Sequence, residues 1–152
     1  MDINSYAEMG RILCVDPQHM QHVEIRNLPD EKLAVVEPTT ITRLCYNNSL
    51  VASRLLNGEA LVFGVALTCF EGTWLPAEHC WVKLQDGTEV DPTYQVLQNE
   101  RKTKREILYF KLFEITLPSL RDVQESLGKS SLAGLEMRWF RKSEHYRHCF
   151  LG

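Results

Sequence analysis

The chain has 152 residues, 44% of them hydrophobic and 24% charged, amounts that fit one globular domain around a single core. A formal net charge of −3 supplies no global field that would draw the protein onto nucleic acid or an anionic membrane. The longest apolar run, Ala60 to Cys69, is too short to span a bilayer, and the start MDINSYAEMG has neither the basic nor the apolar block of a secretory signal, so the expectation is a soluble cytoplasmic protein.

Residues 1–38 carry the fewest signals. Leu33-Ala34-Val35-Val36 reads as a short strand ended by Pro38. The stretch TTITRLCYNNSLVASRLLNG has threonines for an N-cap and Asn57-Gly58 for a stop, and Leu44, Val51, Ala52 and Leu55 recur at helical spacing. It predicts a helix from about Ile41 to Asn57 with that stripe buried. Leu61 to Leu67 is apolar without alternation, which suits a central strand covered on both faces. Glu71 to Glu78, with Gly72 and Pro76, reads as a loop, and a hairpin HCWVKLQDGTEVDPTY follows from His79. The charged segment ERKTKRE (100–106) precedes a strand over Ile107–Ile115, and Pro118 opens a helix closed by Gly128. The amphipathic end, SSLAGLEMRWFRKSEHYRHCFLG, suits helix.

The hairpin is a register problem, because a slip of one residue turns every side chain to the other face. A two-residue Asp86-Gly87 turn would set Lys83 against Val90 and Leu84 against Glu89. A three-residue loop, Gln85-Asp86-Gly87 with Gly87 left-handed, instead pairs Val82 with Val90 and Lys83 with Glu89. In that register Asp91 is diagonal to His79 on the same face, about 7–8 Å away between α-carbons, within reach of a carboxylate–imidazole hydrogen bond. Such a carboxylate fixes the ring tautomer and stabilises the imidazolium.

Cys45 is the candidate nucleophile. A thiol in the first turns of a helix sees the positive end of the macrodipole, which favours the thiolate, and the free N–H groups there can receive an oxyanion. Five cysteines, an odd number without regular spacing, imply free thiols. Cys69 and Cys80 fall on strands and Cys14 and Cys149 on terminal segments, contexts that do not activate a thiol.

The order CYNNS at a helix start, an apolar strand, HCWV, a DG turn and VDPTY resembles the transglutaminase-like and papain-like cysteine-enzyme superfamily, in particular its small bacterial and phage members. The resemblance covers about residues 40–120, and the strand-then-Pro-helix of YFKLFEITLPSL resembles the segment after the aspartate in such proteins. It implies Cys45 as nucleophile, His79 as general base and acid, and Asp91 as the group orienting His79.

The expected architecture is α+β: one domain, 1–152, with a core over about 40–120 and peripheral additions at 1–38 and 130–152. A helix bearing Cys45 packs on an antiparallel sheet of about four strands. The expected function is acyl transfer, as amide hydrolysis, deamidation or peptidase-like cleavage, on a protein or peptide substrate. The alternative is a catalytically inactive transglutaminase-like domain that binds protein. No cofactor, nucleic acid or membrane partner is expected. The basic run Arg101, Lys102, Lys104 and Arg105 is flanked by glutamates and reads as a solvated loop. His145, His148 and Cys149 with His79 or Cys80 invite a zinc reading, but they lack regular ligand spacing, and no metal is expected.

Overall fold

The computed structural model describes residues 2–128 and 136–152. Helix α1 (Ile3–Glu8) is capped by the Asp2 carboxylate, which accepts from the Ser5 N–H. Strand β1 (Gln21–Val23), helix α2 (Asp30–Val36) and helix α3 (Cys45–Leu55) follow. Strands β2 (Ala60–Phe70), β3 (Thr73–Lys83) and β4 (Glu89–Val90) lead to helix α4 (Pro92–Arg101). Strand β5 (Ile107–Thr116) and helices α5 (Leu120–Ser126) and α6 (Met137–Arg141) complete the chain. The strands form one antiparallel sheet in the order β1-β5-β2-β3-β4, so the α+β class holds, with five strands where about four were expected. The extra one, β1, is an edge strand of three residues, too short to show a period of two.

β2 lies between β3 and β5 and is buried from Ala60 through Leu67, as its unbroken apolar run implies. One face of the sheet packs Leu61, Phe63 and Cys80 on Leu50 of α3 and on Met137 and Phe140 of α6. Val65, Leu67 and Phe110 meet Ala7 and Val15 there. Both terminal segments, expected as additions around the core, therefore supply core residues. The other face gathers Val62, Ala66, Trp81 and Tyr109, with Tyr94 of α4 against them.

Four local expectations are corrected. Leu33–Val36 is helical: Asp30 and Glu31 sit in the first turn of α2, complementing its dipole, and Leu33 and Val36 share a buried face at i, i+3. The helix expected from Ile41 begins at Cys45, because Arg43 has φ +70 and breaks the right-handed path, while the Thr39 and Thr40 hydroxyls bond back to the Val36 carbonyl. Its expected buried stripe holds only at Ala52, which is buried: Leu44, Val51 and Leu55 are 41%, 38% and 47% exposed, and Asn48, Ser49 and Ser53 are buried in their place. Polar groups on the inward face are satisfied there by hydrogen bonds rather than excluded.

The third correction concerns Glu71 to Glu78. β3 starts at Thr73, after a two-residue turn in which Glu71 (φ 49) and Gly72 (φ 84) are both left-handed, the turn that matches strand twist. Pro76 is tolerated because β4 accompanies only Val82 and Lys83, so the proline lies on an edge of the sheet. The fourth is α4, absent from the predicted elements: Asp91 ends the hairpin and caps α4, with Pro92 in its first turn. The predicted helix after Pro118 appears as a 3-10 turn, Leu117–Ser119, followed by α5. In the amphipathic end, 129–135 lie outside the described residues; beyond them only α6 is α-helical, and Arg147–Cys149 is a 3-10 turn. Among the described residues no helix is long and apolar enough to cross a membrane.

Candidate active site

The hairpin adopts the expected register, Val82 with Val90 and Lys83 with Glu89, with Gly87 at φ 86. That register places the Asp91 carboxylate under the His79 ring: Nε2–H donates to Oδ2 at 2.8 Å. Both residues are nearly sealed from solvent, at 1% and 2% exposure. The same Oδ2 accepts the Tyr109 hydroxyl at 2.6 Å, and Oδ1 accepts the Tyr94 N–H at 3.3 Å. Asp91 is thus a helix cap and a histidine partner at once, with both oxygens engaged.

The His79 ring is held by aromatic groups from three elements. Tyr94 of α4 stacks on it with ring centroids 4.1 Å apart and planes 19° from parallel, while Trp81 and Tyr109 lie at 6.1 and 6.2 Å. Opposite His79 on β2 is Gly64. A Cβ there would lie 2.0 Å from the Phe110 carbonyl oxygen and 2.9 Å from the Trp81 ring. The glycine lets β2 and β5 close under the histidine, at the point where their register shifts.

Burial by itself would push the His79 imidazole down. The Asp91 charge and hydrogen bond oppose it, with a smaller contribution from a hydrogen bond to Cys45, and the ring is held well above its ordinary value near 6.5. Because Nε2 is taken by Asp91, Nδ1 is the ring atom left for the Cys45 thiol.

Cys45 reaches this position through two polar anchors on its own helix. The Asn48 side chain accepts the Ile41 N–H at 3.0 Å and donates to the Ile41 carbonyl at 2.7 Å, which pins the loop running into Cys45. Ser49, one turn after Cys45, donates its hydroxyl to the Cys80 carbonyl at 2.9 Å, so α3 is docked on the residue adjoining His79. Cys45 is the first residue of α3 and is partly exposed, while Cys80 is buried and desolvation holds its thiol well above the ordinary range. All five cysteines are free thiols.

The structure therefore brings together the three residues named from the sequence. Tyr109, Ser49 and the ring of Tyr94 also belong to the arrangement and went unnoticed, since nothing in a strand tyrosine or a helical serine marks its partner. Trp81 is a core residue, its Nε1–H given to Glu89 at 2.8 Å, and Trp74 packs on Tyr6. Two clefts open beside the site. One of 260 Å³ is lined by Leu75, Ala77, Leu97 and Arg101, with Tyr94 as the wall it shares with His79. The other, of 370 Å³, lies between the ends of β1 and α4 and is lined by Glu24, Asn99 and Lys104 among others. Comparison with family models, with curated proteins and with solved structures gave no match for this chain.

Proposed function

We propose that the protein is a cysteine-dependent acyl-transfer enzyme with a papain-like or transglutaminase-like core, acting on an amide of a protein or peptide. The observations that carry this reading are the Asp91 carboxylate bound to Nε2 of a buried His79, and Cys45 at the N-terminus of the helix that Ser49 docks beside that histidine. The Cys45 thiolate attacks the carbonyl carbon, and the first-turn N–H groups of α3 receive the developing oxyanion. His79 Nδ1–H protonates the departing amine, leaving a thioester on Cys45. Nδ1 then takes a proton from water or an acceptor amine, which attacks the thioester and releases Cys45 as thiolate. Asp91 keeps the tautomer correct and stabilises the imidazolium throughout.

The deep burial of His79 favours a second reading, an inactive domain of the same core that binds a protein partner. Alkylation separates the two. The rate at each cysteine is followed by mass spectrometry across pH, in the wild type and in His79→Ala. The enzyme reading expects Cys45 to react faster than the other four thiols, with that advantage lost in His79→Ala. A Cys45 no faster than Cys80 sinks the enzyme reading and leaves the binding one.

A further inference from the structure

The terminal segments meet on the side of the molecule where residues 14–16 pair with 149–151. Val15 bridges to Phe150, the Asp16 N–H donates to the Cys149 carbonyl at 2.9 Å, and the Leu151 N–H donates to the Cys14 carbonyl at 2.8 Å. Two 3-10 turns flank this ladder, Pro17–His19 and Arg147–Cys149. Their side chains converge: one ligand atom each from His19, His148 and Cys149 lie within 4.8 Å of one another. Of the residues in the sequence's zinc reading, His148 and Cys149 are in this cluster, while His145 packs on Tyr146. His19, far away in the chain, takes its place.

We propose that His19, His148 and Cys149 form a divalent transition-metal site of zinc type, with the Asp16 carboxylate as fourth ligand. Two imidazoles, a thiolate and a carboxylate are a donor set for zinc rather than for calcium or magnesium, which take oxygen ligands. Zinc bonds of about 2.0–2.3 Å in a tetrahedron set neighbouring ligand atoms roughly 3.3–3.8 Å apart. Cys149 Sγ and His148 Nε2, at 3.5 Å, already stand at that spacing. The His19 ring lies edge-on to His148 with centroids 5.1 Å apart. It is exposed, so a side-chain rotation can bring its nitrogen to that spacing from both. Asp16 Oδ2 is 4.0 Å from His19 Nε2, while its other oxygen caps the 3-10 turn by accepting the Gln18 N–H. The backbone ladder holds both turns in place before metal arrives. Thiolate and carboxylate together neutralise a divalent ion, and the bound metal ties the start of the chain to its end.

The test uses the full chain carrying Cys45→Ser, which removes the other thiol–imidazole pair as a competing ligand. After chelator treatment it is titrated with cobalt(II) alone, followed by zinc(II). One cobalt per chain is expected, with a thiolate-to-cobalt charge-transfer band and the visible bands of tetrahedral coordination, all displaced by zinc. Cys149→Ser should lose the charge-transfer band. Cys149 is buried, so His19→Ala, at an exposed position, serves as the variant that keeps the fold. Its circular dichroism should match the parent while cobalt affinity falls tenfold or more. The proposal is overturned if no stoichiometric cobalt binds, if the charge-transfer band persists in Cys149→Ser, or if the His19→Ala titration superimposes on the parent.

Discussion

At the scale of single residues, Asp91 decides the protonation of the site. His79 has a folded-state value raised above 6.5, so the unfolded chain gives up the proton first as pH rises. The ion pair therefore adds stability that is fully present below about pH 6.5 and is lost as pH climbs through the folded value. In Asp91→Asn the desolvation of His79, its largest influence, acts without the opposing charge. The ring is then neutral when folded, and the sign of the slope reverses. Denaturant midpoints at about pH 5.5, 7 and 8.5 should show the wild type weakening toward high pH relative to the variant. A parallel pair of profiles means that the pair does not titrate as described. Tyr109→Phe should leave the sign unchanged while costing about 1–3 kcal/mol, since a buried carboxylate oxygen loses a donor. His79 and Asp91 were legible because hairpin register converts sequence separation into distance. Tyr109 was not, because it comes from β5, which reaches the site only by pairing with β2.

Among the elements, α3 and the β2–β5 contact show why pattern reading failed in one place and worked in another. The α3 stripe was inferred from apolar residues, yet its inward face works through Asn48 and Ser49. Hydrophobic periodicity carries no information about a hydroxyl that finds a carbonyl 31 positions later. Ser49→Ala should cost about 1–3 kcal/mol by leaving the Cys80 carbonyl unpaired. It should also slow Cys45 alkylation relative to the other thiols, a ratio that a purely structural role would leave alone. β2 was legible because burial on both faces leaves only an apolar run. Its glycine is a matter of contact distance rather than of backbone angle. Gly64→Ala puts a methyl 2.0 Å from a backbone oxygen, which cannot rotate away, so the strands must separate. A loss of about 3 kcal/mol or more is expected. Gly87→Ala meets nothing within 4 Å but sits at φ +86, and should cost only about 1–2 kcal/mol. Urea unfolding of both variants checks the contrast, and equal losses would mean that the close approach at Gly64 relaxes freely.

For the molecule as a whole, the question is what holds the terminal segments on the sheet, and Arg141 is the side chain that joins them. From the end of α6 its Nη2 donates to the Leu13 carbonyl at 2.8 Å and to the Glu78 carboxylate on β3, and its guanidinium lies 4.8 Å from the centre of the Phe150 ring. One group thus links the N-terminal segment, the sheet and the C-terminal tail. Arg141→Leu keeps an aliphatic body against Phe150 but removes both donors. Amides that bond across the termini, those of Asp16 and Leu151, should then exchange faster, while those of β2 keep their protection, because local opening of a peripheral unit costs less than global unfolding. The deficit should also depend on pH. Burial holds Glu78 above its ordinary value and Arg141 opposes that rise, so removing the guanidinium lifts the carboxyl further. A carboxyl whose folded value is raised binds its proton more tightly in the native state, and stability falls as pH climbs from the unfolded value of about 4.3 through the folded one. Arg141→Leu should therefore differ from the wild type least near pH 4 and most near neutrality. Hydrogen exchange at the two pH values, corrected for intrinsic rates, reads both effects at once. A uniform loss of protection across β2 and the termini would show that these segments are not a separable unit but part of one cooperative core.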